Sequence, residues 1–226
     1  MKTVFISRTI KSDSVFLKML SKAHFQIVGK SLIELHAIDF QTIPDTNWIF
    51  FYSKNAITFF FENIEKQSFS LDKKAFKWAT IGEGTAKRLL KYNIKADFIG
   101  NGTPDKTAFQ FLRQVKKQTV TFPRATTSQK SIQKILADQI QAIDLLVYKN
   151  QPIQNIKSRN EAFLVFTSPM NATAYFEKHP LKNQQQLIAI GQTTAKALKN
   201  LGFNNIIISK TPSEKGLAEA VLSCGF

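Results

Sequence analysis

Hydrophobic positions along the chain alternate between short continuous runs and segments with helical spacing. The continuous runs lie at residues 4–6, 48–52, 120–122, 145–148 and 163–166. Runs of this length are typical of strands in a parallel sheet, because helices cover both faces of such a sheet. Helical spacing follows them, for example at Phe16, Leu17 and Leu20. Strands that alternate with helices predict an α/β fold with parallel sheets and right-handed crossovers.

The predicted elements occur twice. Three segments between residues 4 and 89 match three segments between residues 120 and 198, in the same order and of the same type. The pairs are residues 4–9 with 120–125, 48–53 with 163–168, and 81–89 with 190–198. Two copies predict two similar lobes, each a parallel β-sheet flanked by helices.

The third pair of segments predicts a glycine turn followed by a helix that opens on threonine. Thr85 in one copy, and Thr193 and Thr194 in the other, are residue types that favour the N-cap position. The free amides of a first helical turn attract anions. Asn93 and Gly202 occupy matching positions where a left-handed residue commonly ends a helix.

A last helix is predicted in each copy after a Thr-Pro pair. In the second copy, Thr211 is predicted to be the N-cap, with Pro212 at the first helical position and Glu214 completing a capping box. The first copy keeps the proline, as Pro104, and lacks the glutamate.

Polar, turn-rich stretches at residues 36–47 and 149–160 occupy equivalent places in the two copies and suggest connections between the lobes. The repeat alone favours tandem lobes, one for each copy. It leaves open an exchange in which the first strand and helix of each copy pack into the other lobe.

The composition limits the compartment and the partners. A net charge of +15 indicates either a polyanionic partner or a lysine-rich solvated surface. The single cysteine, Cys224, excludes an intrachain disulfide and suits a reducing compartment. We expect a cytoplasmic protein without membrane contact, because no segment approaches the roughly 20 apolar residues that span a bilayer and the N-terminus lacks a signal peptide.

Candidate binding residues follow the predicted strands, where open parallel sheets bind ligands. Arg8 and Arg124 occupy matching positions and could bind a carboxylate in bidentate fashion, or could cap a sheet edge. Two lobes that face each other would form one cleft for a large anion. Phosphate loops, nucleophile elbows and zinc spacings are absent from the sequence. An enzyme of this kind is therefore expected to work without metal, nucleotide or covalent nucleophile.

The sequence resembles the uroporphyrinogen-III synthase family. The resemblance is carried by residues 166–169, 171–172, 189–198, Pro212 and 216–217. Weaker similarities extend it over the whole chain; they lie at Ser7, Arg8, Ser53, residues 81–82 and Tyr148.

This resemblance implies two flavodoxin-like lobes joined by two connecting strands, with the active-site cleft between them. The first lobe would comprise residues 1–35 and 151–226, and the second residues 36–150. The implied reaction closes hydroxymethylbilane, a linear tetrapyrrole, to uroporphyrinogen III with inversion of ring D and loss of water. No cofactor or metal is implied. The protein is expected to be a monomer that contacts the upstream hydroxymethylbilane-forming enzyme transiently.

The resemblance also assigns site residues. Tyr148 matches the tyrosine that is the candidate general acid of the family. The expected substrate-binding residues combine this match with the strand-end positions; they are Arg8, Ser53, Gly82, Thr85, Arg124, Ser168, Gly191, Thr193 and Thr194.

Two other functions are compatible with the composition. A nucleic-acid-binding protein would explain the positive charge, but the Phe residues lie in apolar runs and no known nucleic-acid motif occurs. A two-lobed anion-binding protein without catalysis would use the same strand-end residues. The resemblance favours the enzyme.

Overall fold

The computed structural model describes residues 2–68 and 70–224. The strands are β1 (Thr3–Ile6), β2 (Gln26–Gly29), β3 (Ile33–Ala37), β4 (Trp48–Phe51), β5 (Lys77–Thr80), β6 (Phe98–Ile99), β7 (Thr119–Ala125), β8 (Gln141–Pro152), β9 (Phe163–Phe166), β10 (Gln186–Ala189) and β11 (Ile206–Ile208). The helices are α1 (Val15–Lys22), α2 (Lys54–Lys66), α3 (Glu83–Leu89), α4 (Pro104–Val115), α5 (Ser131–Leu136), α6 (Pro169–Phe176), α7 (Gln192–Asn200) and α8 (Glu214–Leu222). Among the described residues, no helix is both long and apolar enough to cross a membrane.

The chain divides into two compact units. Unit 1 comprises Met1–Glu34 and Gln151–Phe226, and unit 2 comprises Leu35–Asn150. The chain leaves unit 1 within β3 and returns to it within β8.

Each unit contains one sheet, and the two sheets share one strand order. The order in unit 1 is β11-β10-β9-β1-β2, with every pair parallel. In unit 2 it is β6-β5-β4-β7-β8, again parallel, with β3 added beside β8. The repeat equates β7 with β1 and β4 with β9, so the two orders match strand for strand. This is the flavodoxin-like order, and it confirms the predicted fold class.

The edge strands β2 and β3 were not predicted from the pattern of hydrophobic positions. Both have exposed residues at alternate or neighbouring positions, and neither forms a continuous apolar run. β3 also departs from the parallel arrangement. Backbone bonds from Ile38 to Val147 and from Ile153 to Leu32 give it an antiparallel register with β8.

Helices cover both faces of each sheet, which explains the continuous apolar runs. All four residues of β4 and all four of β9 are buried. In unit 2, the ring of Phe50 lies 5.0 Å from that of Phe111 on one covering helix and 5.5 Å from that of Phe122 on the neighbouring strand β7. Such aromatic contacts account for much of the burial in this core.

Helix ends agree with the sequence analysis in part. Asn93 (φ +57°) and Gly202 (φ +94°) adopt the predicted left-handed conformation. The N-caps of α3 and α7 are Gly82 and Gly191, so the prediction of threonine caps was wrong. Strands β5 and β10 end two residues before these glycines, so each helix begins before its threonines. Thr85 and Thr194, which are buried, therefore lie in the first turn of the helix and not at its N-cap.

The predicted capping box at the last helix was also wrong. Ser213, not Thr211, caps α8, and its hydroxyl accepts a hydrogen bond from the amide of Gly216 at 3.1 Å. Glu214 does not reach back to its own helix start. Its carboxylate accepts a 2.7 Å hydrogen bond from the hydroxyl of Ser14, the N-cap of α1.

Phe50 provides a test of this packing. We expect Phe50→Ala to lower the free energy of unfolding by about 3–5 kcal/mol, because it leaves a cavity among the rings of Tyr52, Phe111 and Phe122. Phe109 on α4 is 67 % exposed, and Phe109→Ala is the matched control. Urea denaturation followed by circular dichroism measures both. Equal midpoints for the two variants would contradict the packing described here.

Candidate functional site

The carboxyl ends of the parallel strands bring distant segments of unit 1 together. β1 and β9 are neighbours, and the sheet order reverses between them. The amide of Thr167 donates to the hydroxyl of Ser7 at 2.9 Å, and the hydroxyl of Thr167 donates to the carbonyl of Ser7 at 3.1 Å. Ligands of doubly wound sheets bind beside such a reversal. We call the residues that follow β1, β9, β10 and β11 the unit 1 rim.

A cavity of about 440 Å³ lies on the unit 1 rim at the start of α7. It is lined by residues 190–194 and 208–210 and by Pro212. Gly191 is the N-cap and offers no side chain, so no side chain caps the helix. Thr193 is exposed, whereas Thr194 is buried with 2 % of its surface accessible. The lining contains no carboxylate, and the helix dipole adds partial positive charge. The cavity therefore suits an anion.

Arg8 and Ser168 complete the unit 1 rim. The guanidinium of Arg8 is exposed and lies 3.8 Å from the carboxylate of Glu214, a loose ion pair. The hydrogen bond from Ser14 lowers the pKa of Glu214, with a smaller contribution from Arg8. Ser168 caps α6, and its oxygen accepts bonds from the backbone and side-chain amides of Asn171.

The corresponding strand ends of unit 2 form the unit 2 rim. Ser53 caps α2 by accepting a 3.1 Å bond from the amide of Ala56. Gly82 packs closely against Gly102, since an added Cβ would lie 3.1 Å from the Cα of Gly102. Thr85 is buried, and Glu83 supplies an acidic side chain to the first turn of α3.

The sequence suggested that Arg124 could bind a substrate carboxylate in bidentate fashion. The structure corrects this expectation, because the guanidinium of Arg124 is not free. Only 7 % of Arg124 is accessible. Its Nε and Nη2 atoms donate to the two oxygens of Asp144 at 2.6 and 2.7 Å, and Nη1 donates to the carbonyl of Ala125 at 2.8 Å. The bidentate face of the guanidinium is therefore occupied. Arg124 holds the end of β7 against β8.

Asp144 is the centre of a polar network that the sequence did not indicate. Its carboxylate also accepts bonds from Lys130 at 2.5 Å and Gln133 at 2.9 Å. The hydrogen bonds from Arg124 hold the pKa of Asp144 well below its usual range. The backbone amide of Gln133 donates to the hydroxyl of Tyr52 at 3.2 Å, while burial raises the pKa of Tyr52. No spacing in the sequence links these residues, because they come from β7, β8, the start of α5 and the end of β4 and meet only in the folded unit.

Tyr148 lies in β8 with 8 % of its surface accessible. Its ring stacks on that of Phe59 from α2, with centroids 5.0 Å apart. The carbonyl of Tyr148 accepts a bond from the amide of Thr126, which places it beside the unit 2 rim. Within residues 2–68 and 70–224, its hydroxyl has no hydrogen-bond partner. The proton of this phenol is therefore available to a ligand.

Comparison with known proteins identifies the family. The family model of uroporphyrinogen-III synthase HemD matches residues 18–219. The chain belongs to the uroporphyrinogen-III synthase family. It is 26 % identical to the uroporphyrinogen-III synthase of Chlorobaculum parvum over 98 % of both chains.

Solved structures show the same fold. The uroporphyrinogen-III synthetase of Helicobacter pylori matches 99 % of this chain and 100 % of its own, with a TM-score of 0.73 and 22 % identity. A mutant uroporphyrinogen III synthase of Thermus thermophilus matches 100 % of this chain and 98 % of its own, with a TM-score of 0.59 and 14 % identity. The α/β architecture of this chain is thus that of uroporphyrinogen-III synthase structures.

The Asp144 network predicts a pH-dependent stability. A carboxyl whose pKa is depressed in the folded state contributes stability above its unfolded pKa and loses it as the pH falls. We expect Asp144→Asn to lower the free energy of unfolding by about 3 kcal/mol at pH 7, since it leaves Arg124 buried without a counter-charge. The difference from the unmodified protein should shrink as the pH falls below about 4.

The exposed Asp138 offers the control, and Asp138→Asn should change the stability by less than about 0.5 kcal/mol. Chemical denaturation at several pH values measures both. A difference for Asp144→Asn that stays constant from pH 7 to pH 3 would argue against the ionic role of Asp144.

Proposed function

We propose that this protein is a uroporphyrinogen-III synthase, which closes hydroxymethylbilane to uroporphyrinogen III with inversion of ring D and loss of water. The observation that carries the proposal is the family match over residues 18–219. The full-length agreement with the Chlorobaculum parvum relative supports it. The open cavity at the start of α7, which suits an anion, fits a substrate with several carboxylates.

The proposed reaction balances without an added cofactor. The C–O bond of the hydroxymethyl group breaks, and the departing oxygen takes up a proton to leave as water. The substituted α-carbon of ring D forms a bond to the methylene carbon that lost the hydroxyl, which gives a spiro intermediate. The bond from this ring D carbon to the methylene of ring C then breaks, and the unsubstituted α-carbon of ring D bonds to that methylene, so ring D is rejoined in the inverted orientation. One proton is then lost as the ring system regains its aromaticity. No electrons are gained or lost overall, so the protein needs to supply only acid–base groups and a fixed conformation.

Tyr148 is the proposed general acid for the departing hydroxyl. Its phenol is mostly buried and has no hydrogen-bond partner among the described residues, so its proton can be donated to a ligand. Stacking on Phe59 fixes the ring, which keeps the donor in one position.

The proposed contacts with the substrate carboxylates are mostly neutral donors. Ser53 and Ser168 use their oxygens as acceptors for helix amides, so each hydroxyl hydrogen remains free to donate. Gly82 and Gly191 contribute backbone amides, and Thr85, Thr193 and Thr194 lie in the helical turns that follow. Arg8 is the proposed cationic contact. Arg124 acts instead by holding the end of β7.

The proposed enzyme acts as a monomer in the cytoplasm and needs neither metal nor nucleic acid. Hydroxymethylbilane closes spontaneously to the uninverted isomer, so a transient contact with the upstream enzyme would shorten the time that the substrate spends free in solution.

An isomer assay tests the proposed function. Purified protein would receive freshly generated hydroxymethylbilane, and the oxidised products would be separated into type I and type III uroporphyrins. We expect type III to predominate and to be absent without protein. Only type I, formed at the spontaneous rate by a folded sample, would leave a non-catalytic anion-binding protein as the remaining function.

Tyr148→Phe removes the phenolic hydroxyl and keeps the ring. We expect kcat for type III formation to fall by about 10²–10³-fold with the fold intact, as is typical for the loss of a general acid. Tyr92→Phe is the control, because Tyr92 also stacks on a phenylalanine, Phe61, but is not among the proposed site residues. Unchanged turnover in Tyr148→Phe would remove Tyr148 from the mechanism.

Arg8→Ala removes an exposed charge from the unit 1 rim. We expect KM to rise about tenfold, equivalent to about 1.4 kcal/mol, while kcat changes little, because Arg8 binds the carboxylates equally in the ground and transition states. Arg113→Ala, at an exposed position on α4, should leave both constants unchanged. The same KM in the two variants would show that Arg8 has no part in binding.

A further inference from the structure

We infer that Lys210 binds one substrate carboxylate in the cavity at the start of α7, together with the first-turn amides of that helix and the hydroxyl of Thr194. The inference rests on the proposed function and adds to it the lysine that supplies the counter-charge. It also assigns this carboxylate site to one copy of the repeat only.

Lys210 reaches the cavity because of the pairing of two strands. β10 and β11 are parallel neighbours with Ala189 opposite Ile208. Two residues after Ala189 the chain reaches Gly191, the N-cap of α7, and two residues after Ile208 it reaches Lys210. Both segments line the same cavity. In the part of the chain that the structure describes, Lys210 is exposed and forms no ion pair, so its charge is available to a ligand.

Thr194 is a second and independent sign of a ligand. It lines the cavity although only 2 % of it is accessible. Its hydroxyl has no hydrogen-bond partner within residues 2–68 and 70–224. Its oxygen is not among the fully buried unpartnered side-chain atoms, so it retains contact with the open cavity. A carboxylate bound there can accept a hydrogen bond from this hydroxyl. A hydroxyl donor, free helix amides and an ammonium group together form a complete set of donors for one carboxylate.

The other copy of the repeat provides an internal comparison. There, Thr80 is opposite Ile99, so Asn101 occupies the place of Lys210. Asn101 is neutral, and its side-chain oxygen accepts bonds from the amide of Thr103 at 3.0 Å and the hydroxyl of Thr107 at 3.2 Å.

The starts of the two equivalent helices, α3 and α7, also differ. An added Cβ at Gly82 would lie 3.1 Å from Gly102, whereas one at Gly191 would meet nothing within 4 Å. Glu83 places a negative charge in the first turn of α3, and the first turn of α7 has no acidic residue. The two copies thus differ at this position: the start of α3 packs against Gly102 and carries an acidic residue, whereas the start of α7 is open and has none.

The test compares Lys210→Gln with Lys199→Gln. Lys199 is exposed near the opposite end of α7, so its removal changes the net charge equally and leaves the cavity intact. In the isomer assay at low salt, we expect KM of Lys210→Gln to rise about tenfold, as for one lost charge-assisted contact. Its kcat should stay within about threefold, and Lys199→Gln should behave as the unmodified protein.

A measurement independent of activity uses succinate as a dicarboxylate probe. Amide NMR shifts of residues 191–194 would be followed during titration, with sodium chloride at equal ionic strength as the reference. We expect saturable shifts in the unmodified protein and in Lys199→Gln, and much weaker shifts in Lys210→Gln.

The two measurements separate the possible failures. Type III product with an unchanged KM in Lys210→Gln and the same succinate shifts in all three proteins would overturn the inference and leave the proposed function intact. Absence of type III product, with succinate shifts that depend on Lys210, would overturn the proposed reaction and support the carboxylate site.

Discussion

Parallel pairing of β1 with β9 is the interaction on which the candidate site of unit 1 depends. It aligns Val4 with Phe163, so the carboxyl ends of β1 and β9 lie side by side. Hydrogen bonds between Ser7 and Thr167 join the two ends. Because the helices that follow the two strands lie on opposite faces of the sheet, the rim between them is left open. The pairing of β4 with β7 has the same role in unit 2. Polar residues from far apart in the chain therefore share one edge of each sheet.

Units 1 and 2 share one architecture but differ in the residues at the carboxyl ends of their strands. The strand order is the same in both units, yet matching positions carry different chemistry. Arg8 is exposed and loosely paired, whereas Arg124 is buried and saturated by Asp144. The start of α7 is open and that of α3 is closed by Gly102. Local side chains and one close backbone approach, rather than the strand order, thus decide where an anion can bind.

Periodicity predicted the features that depend on local patterns. The continuous runs at β4 and β9 identified strands covered on both faces, and the repeat identified two similar sheets. Features that depend on distant partners were not predictable. Asp144 lies on a neighbouring strand, and no local pattern marks it as the partner of Arg124. Glu214 accepts a hydrogen bond from Ser14, the N-cap of a helix 200 positions away in the chain. Lys210 is one of many lysines until β10 and β11 pair.

The discontinuous composition of unit 1 has a consequence for synthesis on the ribosome. Val4, Phe5 and Ile6 are fully buried in the finished protein, but their partner strand β9 begins 159 residues after Val4. β1 can pair early with β2 on its other side, but at roughly 5–20 residues per second it waits on the order of ten to thirty seconds for β9. Unit 2 is continuous and can complete its sheet during that interval. The apolar strand β1 therefore keeps one unpaired edge while the middle of the protein folds, and unit 1 is completed only after unit 2.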